Sequence, residues 1–114
     1  ESNFLAKALP IGAFMYRPVA LGMDVTDNRV YWTDVSLNSI RRAFINGTSP
    51  EVLVSVNVSN PDGLAVDPVG GNIYWSDVFT KKIEVCRMDG TMRKVLIDKD
   101  LDKPRDIILD LSKG

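Results

Sequence analysis

Residues 31–34 read YWTD and residues 74–77 read YWSD, so two adjacent aromatic residues, a small hydroxyl residue and an aspartate recur after 43 positions. The same spacing relates Pro18, Pro61 and Pro104. Further pairs share it: Leu21 and Leu64, Asp24 and Asp67, Ile40 and Ile83, Gly47 and Gly90, Val52 and Val95, Leu53 and Leu96. A fixed period of this length indicates one supersecondary unit that is used repeatedly.

Each unit is predicted to contain four short β-strands, named A to D. The strands are expected at 20–24, 29–34, 38–45 and 51–56 in the first unit, and at 63–67, 72–77, 81–88 and 93–98 in the second. These segments are rich in β-branched and aromatic residues and are bounded by turn residues, without helical periodicity. Asn46 and Gly47 separate C from D, where a tight connection needs residues that tolerate positive φ. Each unit should therefore be an antiparallel meander.

Four-stranded sheets with a period in the forties are typical of a β-propeller, in which about four to eight blades surround a central channel. The fold class is thus predicted to be all-β, with complete blades at 18–60 and 61–103 and the first strand of a following blade at 104–114. Residues 1–17 match the repeat poorly and are interpreted as a divergent start or the remnant of a preceding blade.

Side chains alternate along strand B, so Tyr31 points to one face of its blade and Trp32 to the other. A sheet that lies between two others must bury both faces. The sequence therefore predicts a structural role for the strand B aromatics between blades: Tyr31, Trp32, Tyr74 and Trp75. Because two blades cannot close a ring, we expect the outermost faces to expose Tyr and Trp, and the chain to contact further blades or to self-associate.

Composition excludes several classes of function. The 114 residues carry 14 basic and 15 acidic side chains, which argues against nucleic-acid binding, and no apolar run is long enough for direct membrane insertion. With no histidine and one cysteine, the chain lacks the residues of a Ser-His-Asp or Cys-His site or of an ordinary zinc site. We expect a protein that is not an enzyme and needs no cofactor or metal, with a metal-dependent propeller enzyme as an alternative.

Two aspartates that end strand B, Asp34 and Asp77, could be mistaken for catalytic carboxylates. A carboxylate at a strand end beside a turn commonly accepts backbone N–H bonds, so we interpret both as structural. Two N-glycosylation sequons begin at Asn46 and Asn57. Asn46 is the expected glycan site, because it lies at the tip of a C-to-D hairpin.

These residues resemble the YWTD repeats of the low-density-lipoprotein-receptor family over residues 18–114. The second unit carries the family's motifs NPDGLAVD (60–67), YWSD (74–77), IEV (83–85), DGTMRKVL (89–96) and PRDI (104–107). The first unit is most similar to the receptor-related proteins that act as Wnt co-receptors. Cys86 departs from the family's usual Ser or Thr. The resemblance implies a fragment of a six-bladed propeller in the extracellular part of a cell-surface receptor, made in the secretory pathway.

The partners implied by that resemblance are extracellular protein ligands, and in the Wnt subgroup they are ligands or antagonists of that pathway. The alternative is a purely architectural or ligand-release propeller of an endocytic lipoprotein-type receptor. In an A-B-C-D meander, the D-to-A and B-to-C connections emerge on one rim. The ligand-binding residues predicted on this rim are Ser36, Asn60, Asp62, Phe79, Thr80, Lys103 and Arg105, and Val78 is expected on the same rim. The resemblance matches Asp62 and Arg105 to family motif positions.

Overall fold

A computed structural model describes residues 17–99 and residue 108, and eight β-strands lie in the described part. They are β1 Pro18–Asp24, β2 Arg29–Asp34, β3 Ser39–Phe44, β4 Glu51–Val54, β5 Pro61–Asp67, β6 Asn72–Asp77, β7 Lys82–Arg87 and β8 Lys94–Ile97. Two antiparallel sheets result, with the orders β1-β2-β3-β4 and β5-β6-β7-β8. The predicted all-β fold of four-stranded blades is confirmed.

We call the first strand of each sheet, β1 or β5, the inner strand and the last, β4 or β8, the outer strand. Each outer strand is shorter than predicted. Strand β4 ends at Val54 and not at residue 56, and β8 ends at Ile97. Beyond Val54 the chain leaves the sheet, and Asn57 has a φ of 55°. This left-handed residue lies in a turn after the strand, and asparagine tolerates the conformation better than most residues. The connection 55–60 then leads to the inner strand of the second sheet.

The two sheets pack face to face through the aromatic pair that the repeat supplies. Tyr31 of the first sheet and Trp75 of the second belong to one core cluster, and both are almost fully buried. The cluster also contains Ile40, Val54, Val58, Ile73 and Cys86. Burying one such aromatic removes roughly 150–250 Å² from water. The Tyr face of one blade thus packs on the Trp face of the next.

Two arginines link the sheets by polar contacts in opposite directions. Arg42 of the first sheet donates from Nη1 to the Met88 carbonyl oxygen at 2.7 Å. Arg93 of the second donates from Nη1 to the Val56 carbonyl oxygen at 2.6 Å. Charge-assisted hydrogen bonds are stronger than neutral ones, so these contacts hold the sheets in one relative position.

The expected exposure of aromatic residues on the outermost faces is wrong for the residues that the structure describes. Trp32, on the face of the first sheet turned away from the second, is 1% exposed, and Val30 and Ala43 are buried with it. On the far face of the second sheet, Ile108 packs with Ala65 and Ile83, and Tyr74 lies partly buried against them. Trp32 is therefore not part of an exposed apolar patch. The argument for self-association through exposed Trp32 therefore fails.

The predictions for residues 1–17 and 104–114 concern segments that lie outside the described residues, apart from Arg17 and Ile108. Over the described ranges, the fold contains no helix of the length and apolarity needed to cross a membrane.

Candidate ligand-binding rim

The B-to-C turns of both blades and the connection between the blades meet at one edge of the structure, which we call the ligand rim and define as residues 35–38, 55–60 and 78–81. The N–H of Val35 donates to the Arg17 carbonyl oxygen at 3.1 Å, and the N–H of Val78 donates to the Asn60 carbonyl oxygen at 3.1 Å. Each B-to-C turn is thus bonded to the segment that enters the inner strand. A cleft of about 440 Å³ lies here, lined by Arg17, Val35, Ser59, Asn60 and Phe79.

A buried aspartate fixes each B-to-C turn. Both Asp77 oxygens accept from the Asn60 N–H at 3.2 Å, Oδ2 also accepts from the Ser59 N–H at 2.8 Å, and Oδ1 accepts from the N–H groups of Phe79 at 2.9 Å and Thr80 at 3.1 Å. The Asp77 side chain is 1% exposed. One carboxylate therefore joins the connection between blades to the turn that carries Phe79.

Asp34 repeats this arrangement in the first blade. It accepts from the N–H groups of Arg17 at 3.2 Å, Ser36 at 3.0 Å and Leu37 at 3.2 Å. Backbone N–H groups bound by a carboxylate cannot rearrange without losing charge-assisted bonds. The backbone of both B-to-C turns is consequently held in place by the fold itself.

The structure brings most of the predicted ligand-binding residues to this rim but exposes them unequally. Ser36, Asn60 and Val78 are exposed, and Phe79 is 76% exposed. Thr80 is half-buried. Asp62 is half-buried as well, and its Oδ1 accepts from Ser76 Oγ at 2.9 Å. The two remaining predicted residues, Lys103 and Arg105, lie outside the described residues.

Three residues that line the rim cleft, Arg17, Val35 and Ser59, are not among the ligand-binding residues predicted from the sequence. The sequence pattern assigns Arg17 to the poorly matching N-terminal segment and Ser59 to a glycosylation sequon, whereas the structure places both in the cleft. The repeat offers a signal for both, because Arg17 directly precedes Pro18 and Ser59 lies two residues before Pro61. Each therefore belongs to a segment that enters an inner strand.

The opposite rim carries the A-to-B and C-to-D connections and the first sequon. Asn46 is exposed there, and its Oδ1 accepts from the Thr48 N–H at 3.1 Å and from Thr48 Oγ1 at 2.8 Å. Asn46, Thr48, Asp27 and Asn28 line a cleft of about 630 Å³ together with Phe44 and Ile45. The second sequon residue, Asn57, is exposed in the connection 55–60 and so belongs to the ligand rim.

Among the described residues, two groups with a raised pKa, Tyr31 and Cys86, lie in the core, whereas a hydrogen bond with Thr91 lowers the pKa of Asp89, which is exposed in the turn between β7 and β8. Burial raises the pKa of the Cys86 thiol to about 12, and the side chain is 1% exposed. Burial also raises the pKa of Tyr31, although its hydrogen bond with Arg42 acts in the opposite direction. Reactive cysteines are exposed thiolates, so Cys86 is a packing residue at neutral pH. Among residues 17–99 and Ile108, no group of three His, Cys, Asp or Glu side chains is placed to hold a metal ion.

Comparison with known protein families identifies both repeats. Residues 28–68 and 71–111 match the family described as "Low-density lipoprotein receptor repeat class B". Human low-density lipoprotein receptor-related protein 5 is 53% identical over 63 residues, which cover 55% of this chain and 4% of that protein. Human low-density lipoprotein receptor-related protein 4 is 49% identical over 45 residues, 40% of this chain and 2% of that protein. The chain thus corresponds to a small part of these relatives.

A solved structure titled "Crystal structure of Nidogen/Laminin Complex" shares the fold. One of its chains superposes with a TM-score of 0.70 at 41% sequence identity, over 73% of this chain and 32% of that chain. The likeness extends across both blades, because the shared portion is longer than either one.

Proposed function

Because this chain belongs to the low-density lipoprotein receptor class B repeat family, we propose that it is a protein-binding segment of a β-propeller in the extracellular part of a cell-surface receptor. The ligand rim is the proposed binding surface. The nearest functional type is that of a Wnt co-receptor, with ligands or antagonists of that pathway as partners. The similarity to low-density lipoprotein receptor-related protein 5 supports this finer assignment.

The observation that carries the proposal is an exposed aromatic side chain on a rigid turn. Phe79 is 76% exposed, yet its own N–H is held by the buried carboxylate of Asp77 at 2.9 Å. Aromatic residues contribute strongly to protein interfaces, and an organised backbone lowers the entropy that binding costs. The adjacent cleft of about 440 Å³ offers room for a partner's side chain. A relative of the same fold was solved in a complex named for two proteins, which agrees with this type of function.

The proposal includes a non-enzymatic role, which the inventory of side chains supports. The chain has no histidine, and its single thiol is buried with a pKa of about 12. Nucleophilic and general-base catalysis near neutral pH use groups with lower pKa values that reach the substrate. We therefore infer that the chain binds a partner and does not catalyse a reaction. Metal analysis of the purified protein distinguishes this proposal from a metal-dependent propeller enzyme.

The test is ligand binding by the complete propeller that contains these blades. Phe79→Ala and Arg105→Glu should each weaken binding of the protein ligand by at least about 1 kcal/mol, as truncation of an interface anchor does. The melting temperature should not change, because Phe79 contributes little to the core. Val69→Ala provides a matched control, since Val69 is a fully exposed apolar residue of an A-to-B turn on the opposite rim.

Equal loss of affinity in Val69→Ala and Phe79→Ala would reject the ligand rim as the binding surface. Unchanged affinity in both Phe79→Ala and Arg105→Glu would favour the purely architectural alternative. Surface plasmon resonance on immobilised propeller gives the affinities, and differential scanning calorimetry gives the stability of each variant.

A further inference from the structure

A second polar cleft, of about 580 Å³, lies where the connection 55–60 passes β7 and β8. We call it the basic cleft, and its lining residues are Asn57, Thr80, Lys82, Glu84, Arg93, Lys94 and Val95. The Arg93 bond to the Val56 carbonyl oxygen, at 2.6 Å, fixes the connection against the second sheet at this point. The cleft is therefore bounded by both blades.

Glu84, the acidic residue of the basic cleft, is neutralised by Arg93 of the same cleft. Arg93 donates from Nε to Glu84 Oε1 at 2.9 Å and from Nη2 to Oε2 at 3.1 Å, and Glu84 is 5% exposed. Neither Lys82 nor Lys94 takes part in an ion pair within residues 17–99. Two ammonium groups thus remain uncompensated, and a charged cleft of one sign concentrates ligands of the opposite sign.

The blade architecture does not require these two lysines. Ser39, at the start of β3 and 43 positions before Lys82, is neutral. Glu51, at the start of β4 and 43 positions before Lys94, is acidic. The first blade therefore forms the same strands without positive charge at either position. A feature that one blade has and its structural equivalent lacks points to a role outside folding.

We propose that the basic cleft binds an acidic segment of the same protein ligand that docks on the ligand rim. The proposal rests on the function assigned to that rim. The two sites are continuous, because Thr80 follows Phe79 in the turn 78–81 and Asn57 lies in the connection that contains Asn60. Because the two sites share these segments, a protein seated on the rim lies next to the basic cleft, and this continuity favours a peptide segment over a polysaccharide. Aspartate and glutamate side chains complement the two lysines.

Fluorescence anisotropy with a fluorescein-labelled octaglutamate peptide tests the proposal on the full chain. Asn57→Gln serves as the parent protein, because it removes the sequon from the cleft while keeping an amide there. Lys82→Glu and Lys94→Glu should each weaken peptide binding by at least about fivefold, and the double variant by more, since charge reversal replaces attraction with repulsion. Lys99→Glu is the matched control, because Lys99 is exposed, does not line the cleft and changes the net charge equally.

The same assay separates this proposal from the one for the rim. Phe79→Ala should bind octaglutamate like the parent protein, whatever its effect on the protein ligand. If Lys99→Glu weakened octaglutamate binding as much as Lys82→Glu does, net charge would explain the effect, and the proposal that the basic cleft is the binding site would be rejected. Binding of a heparin-derived octasaccharide without binding of octaglutamate would overturn the assignment to a peptide. Circular dichroism melting curves verify that every variant is folded.

Discussion

At the scale of the residue, one buried carboxylate in each blade organises the rim. Asp77 is surrounded by the N–H groups of Ser59, Asn60, Phe79 and Thr80, with donor–acceptor distances of 2.8–3.2 Å. These four residues lie in two separate segments of the chain, which meet where β5 begins and β6 ends. The position of the proposed ligand-contacting aromatic thus depends on a residue that no ligand touches.

Removal of the Asp77 carboxylate should therefore destabilise the protein substantially. We expect Asp77→Ala to lower the free energy of unfolding by about 3 kcal/mol, because several backbone donors lose a charged acceptor in a buried place. Urea unfolding followed by tryptophan fluorescence measures the change.

Asp67→Ala provides the matched control for this prediction. Asp67 also ends a strand, but it is half-buried and accepts through Oδ1 from the Gly70 N–H at 3.0 Å. We expect a loss below about 1.5 kcal/mol there. Comparable losses for the two aspartates would contradict the anchoring role of Asp77.

At the scale of the element, the first strands of the two sheets, β1 and β5, approach each other closely. A Cβ atom on Gly22 of β1 would lie 2.5 Å from Val66 Cγ2 of β5. The position 43 residues later is Ala65, so the repeat does not require glycine there. The glycine serves the contact between β1 and β5, and not a turn.

Gly22→Ala should consequently overpack this contact. Val66 is β-branched and packs against the core cluster, so its methyl group has few alternative positions. We expect a loss of about 1–3 kcal/mol in the free energy of unfolding, the usual cost of an extra methyl group in a filled core. Chemical denaturation measures it.

A double-mutant cycle isolates the contact. In the Val66→Ala background, Gly22→Ala should cost less than about 0.5 kcal/mol, because the obstructing methyl groups are gone. An equal cost in both backgrounds would show that the clash with Val66 is not the cause.

At the scale of the whole molecule, the proposed binding surface and the expected glycan site lie on opposite rims. Phe79, Asn60 and the basic cleft lie toward the ligand rim, whereas Asn46 lies on the opposite rim. A glycan on Asn46 leaves the ligand rim free. A glycan on Asn57 would enter the basic cleft that this residue lines.

We therefore expect Asn46 to carry the glycan when the chain is made in the secretory pathway. Asn46→Gln should remove one glycan mass, and Asn57→Gln should leave the mass of the glycan unchanged. Intact-mass spectrometry before and after glycan removal gives the occupancy of each site. Occupancy at Asn57 alone would contradict this division of the rims.

The fold of this protein was determined by the sequence through local and periodic signals. The alternation of Tyr31 and Trp32 along one strand and the turn residues between strands predict four-stranded meanders, because these signals act on neighbours within a few residues, and the 43-residue period predicts that the unit occurs twice. The same spacing predicted which connections share an edge of a blade. Motifs that match the family made the repeat type recognisable.

Only the tertiary structure decided which residues meet across the two blades. The contact of Gly22 with Val66, the bond from Arg93 to the Val56 carbonyl oxygen and the basic cleft with Lys82 and Lys94 all join residues that are distant in the sequence. Their formation depends on the distance and angle at which one sheet packs on the other, which side-chain volumes throughout the interface set together. A periodic pattern specifies each sheet and its buried faces, but the identity of the groups that face each other follows from packing.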